Sequence, residues 1–253
     1  MVKIIMSGCN GKMGQVITRL VEEDEDSEIV CGVDINTDIK NSYPVVKSID
    51  EFDGDADVVI DFSHPSCLTS ILNYCRKNNK PVILATTGFT AEQKTEFTEA
   101  ANDIPVFFSA NMSLGINLLI SLAKQAAKLL EGNFDIEIVE RHHNRKIDAP
   151  SGTALAIADA IDESLSYPAE YVFDRHSVRR RRKPTEIGIS AVRGGTIVGD
   201  HEVIFAGNDE VIELSHHAAS KEVFAVGAIK AAKFMKDKPA GMYNMNQLVD
   251  EMI

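Results

Sequence analysis

Residues 2–14 read V-K-I-I-M-S-G-C-N-G-K-M-G. Val2–Met6 is a short apolar run, the pattern of a strand buried on both faces. Gly8, Gly11 and Gly14 follow with G-x-x-G-x-x-G spacing. Val16, Ile17, Leu20 and Val21 then mark one face of an amphipathic helix. Strand, glycine turn and helix together make the setting for dinucleotide binding. Glycines let the backbone approach a pyrophosphate, and the helix start offers N–H groups without intrahelical partners. The spacing departs from G-x-G-x-x-G at its second position, Asn10, and simple turn chemistry also uses glycines, so the loop alone decides little.

Support comes from Glu28–Asp34 (E-I-V-C-G-V-D), which reads as the next strand with Asp34 at its end, 20 residues beyond Gly14. A carboxylate at that point accepts hydrogen bonds from a ribose diol. The competing role for Asp34 is a cap on the I-N-T-D turn after it. Ile35 follows Asp34 where a basic residue would be needed to hold a 2′-phosphate, which favours NADH over NADPH. Lys12 in the glycine loop offers a counter-charge that keeps NADPH open.

Farther along, Asp57–Phe62 reads as a buried strand followed by S-H-P-S, with Pro65 suited to a helix start and the helix running to about Asn78. Val82–Ala85 is a strand ending in Thr86, Thr87 and Gly88. A helix over Ala91–Ala101 and a strand over Ile104–Phe108 lead to S-A-N-M-S. The alternation β-α-β-α-β predicts a Rossmann-like, doubly wound parallel sheet. Ligands of such sheets bind beyond the strands' carboxyl ends, which here are Ser63–His64 and Ala85–Thr87. A long amphipathic helix starts at Ser113 and carries the chain out of this region.

The second informative stretch is residues 138–158, I-V-E-R-H-H-N-R-K-I-D-A-P-S-G-T-A-L-A-I-A. It begins as a strand and ends as a helix, with Ala154, Ile157, Ala158 and Ile161 on one stripe. Ser151 is the expected N-cap, so Gly152 and Thr153 present amides at a helix start, where anions bind. The loop between holds His142, His143, Arg145, Lys146 and Asp148. A proton donor titrating near neutral pH, a fixed cation and an anion cradle suit chemistry on a small carboxylate. The bland alternative is surface histidines. A zinc site is disfavoured, because adjacent histidines at a strand end point apart and no third ligand has zinc spacing.

After a poorly patterned stretch, Ser166–Pro184, come Glu186–Arg193, His201–Ala206 and Val211–Ser215, separated by turn glycines. These predict a meander or hairpins in a smaller α+β domain with a mostly antiparallel sheet. One helix layer would leave its other face open to self-association. Arg179–Lys183 is a run of five basic residues. It is expected to be a solvated mobile loop, the alternative being a flap that draws anions to the site. Lys221–Met235 is a helix, followed by K-P-A-G-M-Y and a short tail helix. The expected domains are 1–113 with 221–253 for dinucleotide binding, and 114–220 for substrate binding and oligomerisation. Closure about 110–114 and 218–222 is expected if the two sites lie on different domains.

The chain has 253 residues, 44% hydrophobic and 25% charged, with net charge −12. That is ordinary globular composition, and an acidic chain is a poor nucleic-acid binder. No basic leader with a hydrophobic core and no long apolar span is present. Cys9, Cys31, Cys67 and Cys75 show no C-x-x-C pairing, so a reducing, cytoplasmic setting is expected.

E-R-H-H-N-R-K-I-D-A-P-S-G-T-A resembles the signature E-x-H-H-x-x-K-x-D-A-P-S-G-T-A of the 4-hydroxy-tetrahydrodipicolinate (dihydrodipicolinate) reductase family of the diaminopimelate–lysine pathway. G-C-N-G-K-M-G, A-T-T-G-F, S-A-N-M-S-x-G and V-R-G-G-x-I-V-G-x-H extend the resemblance over nearly the whole chain. It implies reduction of a cyclic dicarboxylated imine-type substrate by NADH or NADPH. It also implies His142 as proton donor, Lys146 as second catalytic residue, and His143, Gly152 and Thr153 as substrate contacts. The cofactor positions it implies are Gly8, Cys9, Asn10, Gly11, Lys12, Met13, Asp34, Ala85, Thr86, Thr87, Ser109, Ala110, Asn111 and Met112. No metal is implied, and family members are typically homotetramers. Two rivals remain. A sugar dehydrogenase would carry an E-K-P motif, absent here; a non-catalytic NAD-sensing module would not need the His/Lys loop.

Overall fold

The apolar runs alternate their side chains between two cores, which is why they read as continuous rather than amphipathic. In the computed structural model, which describes residues 1–252, Ile4 and Met6 of β1 (Val2–Ser7) enter one core and Ile5 the other. The same division separates Val58 and Ile60 from Val59 in β4 (Val58–Asp61). It also separates Ile83 from Val82 and Leu84 in β5 (Val82–Leu84). Only a sheet covered on both faces needs this pattern.

By contact, the chain divides into Met1–Leu114 with Glu222–Ile253, and Gly115–Lys221. In the first unit the sheet runs β3 (Val45–Val46), β2 (Ser27–Val33), β1, β4, β5, β6 (Pro105–Phe108), then a last strand Gly241–Tyr243. Every pairing is parallel. The chain winds one way from β1 and the other way from β4, so their carboxyl ends form the switch point of a doubly wound sheet. Helix α1 (Lys12–Glu22) and the helices Glu222–Met235 and Met245–Met252 bury Ile17, Val21, Ala228, Met235 and Leu248 on one face. Helices α2 (Leu68–Asn78) and α3 (Ala91–Ala100) bury Leu72 and Phe97 on the other. The two short edge strands, β3 and Gly241–Tyr243, have no run of apolar residues to announce them.

In the second unit, β7 (Asp135–His142), β8 (Glu170–Val172), β9 (Glu186–Arg193), β10 (Gly199–Ala206) and β11 (Val211–Ala218) form a sheet in the order β11-β10-β7-β9-β8. It is mixed. The expected antiparallel pairs are β10 with β11 and with β7, whereas β7–β9 and β8–β9 are parallel. Helix α5 (Gly152–Asp162) returns the chain between β7 and β8, and residues 173–185 return it between β8 and β9, so each next strand runs parallel to the last. Only β10–β11 is a hairpin; β7 lies between β9 and β10. Helix α4 (Leu114–Leu130) contributes Leu119, Ala123 and Ala127, and α5 contributes Ala154, Ile157, Ala158 and Ile161, to a core over one face of this sheet.

The stretch Ser166–Pro184 holds β8, which its sequence pattern did not predict. The basic run is exposed at Arg179, Arg180, Arg181 and Lys183, yet Arg180, Arg182 and Lys183 are held in ion pairs. Arg182 donates to Asp135 (2.7 Å), Glu137 (3.1 Å) and the Ile136 carbonyl (2.9 Å). Arg180 and Arg175 each reach the buried Glu186 at 2.5 Å. Arg175, then Arg180, hold that carboxyl down to about 2 against the effect of burial. The acids lie on neighbouring strands, so the run's own composition could not reveal its partners. Among the described residues no helix is long and apolar enough to cross a membrane.

Candidate active site

The glycine turn does what its spacing predicts. Gly8 has φ +78°, and a Cβ on it would lie 2.6 Å from the Phe62 carbonyl oxygen. A Cβ on Gly14 would overlap the Gly8 carbonyl and the Cys9 backbone. The turn is thus packed from both sides by main chain, with no room for a side chain. Helix α1 starts at Gly11 with no side-chain cap and no acid in its first turn. Its first amides therefore carry the helix's positive end without a side-chain cap.

Asp34 accepts from the Asn10 amide (2.9 Å) through one oxygen and from the Asn36 amide (2.9 Å) through the other. The carboxylate caps the turn after it, as one of the two sequence readings had it, and also braces the glycine turn, which the sequence did not suggest. A cavity of about 650 Å³ is lined by Gly8, Gly11, Asp34, Lys47, Ser63 and His64, among others. These features fit a dinucleotide: a glycine turn with no side chains to keep a ligand off its backbone, an uncapped helix start and a carboxylate beside them. Lys47 is a cation the sequence reasoning missed. It follows β3, 13 residues after Asp34, with no local signal to connect them.

The remaining expected cofactor positions are placed unevenly. The Cys9 side chain is wholly buried, and burial pushes its thiol up to about 12, so any contact there is through main chain. Met13 packs against the same core, and Met112 is buried in it. Lys12, Thr87 and Ala110 are exposed, and Ala85 is half-buried. The Ser109 hydroxyl donates to the Asn111 carbonyl (2.9 Å), and the Asn111 side chain accepts from the Ser113 amide (2.9 Å). Thr86 is buried and donates to Asp61 (2.7 Å). Asp61 also accepts from the Ser63 amide (3.1 Å) and hydroxyl (2.5 Å). Burial pushes the Asp61 carboxyl up against the lowering effect of these donors.

In the second unit, register places Glu140 and His142 on the helix-covered face of β7, with Arg193 of β9 beside His142 and His201 of β10 beside Glu140. Glu140 is fully buried. It accepts from His142 Nδ1 (2.7 Å), from both terminal nitrogens of Arg193 (2.7 Å each) and from the Ser151 amide (2.9 Å). Burial alone would raise this carboxyl; Arg193, His142 and the amide together hold it below the usual range. With Nδ1 engaged by Glu140, Nε2 is the ring nitrogen of His142 left to meet other groups. Gly199 faces that edge: a Cβ there would stand 3.1 Å from Nε2.

Ser151 caps α5 as predicted, its hydroxyl oxygen accepting from the Ala154 amide (3.1 Å). The same hydroxyl meets His201 Nε2 (3.0 Å), whose ring stands edge-on to His142 with centroids 5.2 Å apart. Burial, then the neighbouring His142, lowers His201 to about 4. Lys146 Nζ lies 2.8 Å from Asp148 Oδ1. His143 is half-buried; burial and the nearby Arg145 lower its basicity. Gly152 is exposed, Thr153 is half-buried, and a Cβ on Gly152 would meet nothing within 4 Å. The structure therefore gathers His142, His143, Lys146, Gly152 and Thr153 on one short segment. It adds Glu140, Arg193, Ser151 and His201, which sequence reasoning did not assign to the site. The E in E-R-H-H was the available signal.

A parallel doubly wound sheet with an uncapped glycine-turn helix, joined in one chain to a buried carboxylate–imidazole pair, defines an oxidoreductase of the NAD(P)-dependent, two-unit class. A family model described as the N-terminus of dihydrodipicolinate reductase matches residues 2–112, and one for its C-terminus matches residues 115–249. The chain belongs to the dihydrodipicolinate reductase family. It is 55% identical over 249 residues, 98% of each chain, to the 4-hydroxy-tetrahydrodipicolinate reductase of Caldanaerobacter subterraneus subsp. tengcongensis. It is 50% identical over 250 residues to that of Clostridium tetani, covering 99% of this chain and 98% of the relative. A dipicolinate-bound dihydrodipicolinate reductase from Paenisporosarcina sp. TG-14 superposes with a TM-score of 0.80 at 26% identity, covering 96% of this chain and 97% of the other.

Proposed function

We propose that this chain reduces 4-hydroxy-tetrahydrodipicolinate to tetrahydrodipicolinate with NAD(P)H, in lysine and diaminopimelate biosynthesis. The observation that carries the assignment of roles is the buried Glu140–His142 pair, braced by Arg193. Dinucleotide, when bound, supplies the hydride. The first unit, Met1–Leu114 with Glu222–Ile253, is the dinucleotide-binding domain. Gly8–Met13 and the start of α1 hold the pyrophosphate, Asp34 holds a ribose diol, and Ala85–Thr87 with Ser109–Met112 line the remainder.

Reduction of a conjugated ring leaves an enamine-like centre that must gain one proton. His142 delivers it through Nε2. Glu140 holds the ring by Nδ1 and stabilises the imidazolium, while Arg193 fixes Glu140 in place. Lys146 brings positive charge to where negative charge grows on the substrate. His143 and the Gly152 and Thr153 amides hold a substrate carboxylate at the positive end of α5.

Asp34 followed by the exposed Ile35 favours NADH, and Lys47 with Lys12 gives a 2′-phosphate enough counter-charge for NADPH to serve as well. The helix-free face of the second sheet carries Val139, Val192, Ile204 and Val211 by strand alternation. This face supports a homotetramer built through the second unit, with mass in solution as the check. Four free cysteines, three of them buried, support a cytoplasmic enzyme. The deciding experiment follows NADH and NADPH oxidation with freshly generated substrate. Cofactor binding without turnover would reject the reductase reading in favour of a sensing module.

A further inference from the structure

Asp148 lies where a substrate carboxylate would otherwise be met. Its Oδ1 is 2.8 Å from Lys146 Nζ. Lys146 is one of the donors assigned above to the substrate. The backbone of the loop is held independently of this side chain. Arg193 Nη2 donates to the Asp148 carbonyl (2.6 Å), the Ser151 amide to Glu140 (2.9 Å) and the Lys146 amide to the His143 carbonyl (3.1 Å). The Asp148 side chain is 57% exposed, so it can leave by rotating about its own bonds while the loop stays in place.

We propose that the Asp148 carboxylate stands in for one substrate carboxylate on Lys146 and is displaced when substrate binds. This rests on the assignment of Lys146 to the substrate. An incoming carboxylate exchanges with one of the same charge, so Lys146 keeps a partner throughout. A ligand with a single anionic group gains little from such an exchange. A dicarboxylate gains in addition whatever its ring and second carboxylate contact. Asp148 thus sets a common threshold for anions at this subsite, which a ligand with further contacts overcomes.

Dipicolinate and inorganic phosphate are the probes, titrated against the full-length protein, Asp148→Asn, Asp148→Ser and Lys146→Met, with circular dichroism and NADH binding reporting the fold. Removing the Asp148 charge should tighten dipicolinate about fivefold and phosphate by a similar factor, the order of one partly exposed ion pair. The KM for substrate should fall in step. Unchanged or weaker dipicolinate binding in whichever Asp148 variant folds, beside weaker binding in Lys146→Met, overturns the displacement and leaves the role of Lys146 standing. Equal dipicolinate binding by wild type and Lys146→Met overturns the substrate assignment itself.

Discussion

Helix α1 begins at Gly11 with neither a side-chain cap nor an acid in its first turn. Helix α5 begins at Ser151, whose hydroxyl caps it, and in the loop before it Asp148 already pairs with Lys146. Both starts carry the positive end of a helix dipole. At the first, Asp34 just past β2 braces the Asn10 amide, and the turn is walled by main chain at Gly8 and Gly14. At the second, the nearby cation is held by a side chain that can turn away. A site for a large, multiply charged group is built from fixed backbone. One for a small ring keeps an internal competitor that a ligand with further contacts displaces.

The sharpest way to break this contrast is His142→Ala. Turnover should fall by roughly 10²–10⁴, the usual range for loss of a general acid. NADH affinity, read by fluorescence titration, should stay as in wild type. Unchanged turnover removes His142 as donor and leaves the second unit with an anion site but no chemistry.

Acid should distinguish the units next. In the unfolded chain His201 takes its proton near 6.5, whereas burial in the fold delays this to about 4. The unfolded state therefore binds more protons between those values, and stability falls as pH drops through that window, by up to ~3 kcal/mol. His216 and His143 are lowered in the same direction and also lie in the second unit. Asp61 in the first unit is raised, so its contribution is present in acid and fades as pH rises. Thermal unfolding of wild type and His201→Asn from pH 7 to 4 checks this. A slope unchanged by the substitution would mean that other groups carry the acid sensitivity.

The smallest effect concerns the ribose. Asp34→Ala should weaken both cofactors, because the Asn10 amide loses its acceptor. It should weaken NADH roughly tenfold more than NADPH, the worth of one charge-assisted hydrogen bond. Equal losses would confine Asp34 to bracing the glycine turn.

Much of this was legible in residue order. The 2–14 stretch, Asp34, the β-α alternation and the Ser151 cap are local patterns, and each stands in the structure where its spacing put it. Less legible were the groups that make His142 more than a strand-end histidine. Arg193 is 53 positions from Glu140, and His201 is 50 from Ser151. The ion pairs of the basic run with Glu137 and Asp135 were hidden because those acids lie 45 and 47 positions from Arg182, whereas Glu186 stands just beyond the run.

The order of residues alone determined the long strands and helices, where the chain turns on glycine, and that a His/Lys/Asp loop leads into a capped helix. Those features follow from periodicity and steric rules acting within a few residues. The tertiary structure decided that β7 lies between β9 and β10, and with it the row that sets Arg193, Glu140, His142 and His201 together. Strand register is settled by burial of whole faces, and a shift of one position would turn the imidazole to the opposite side of the sheet.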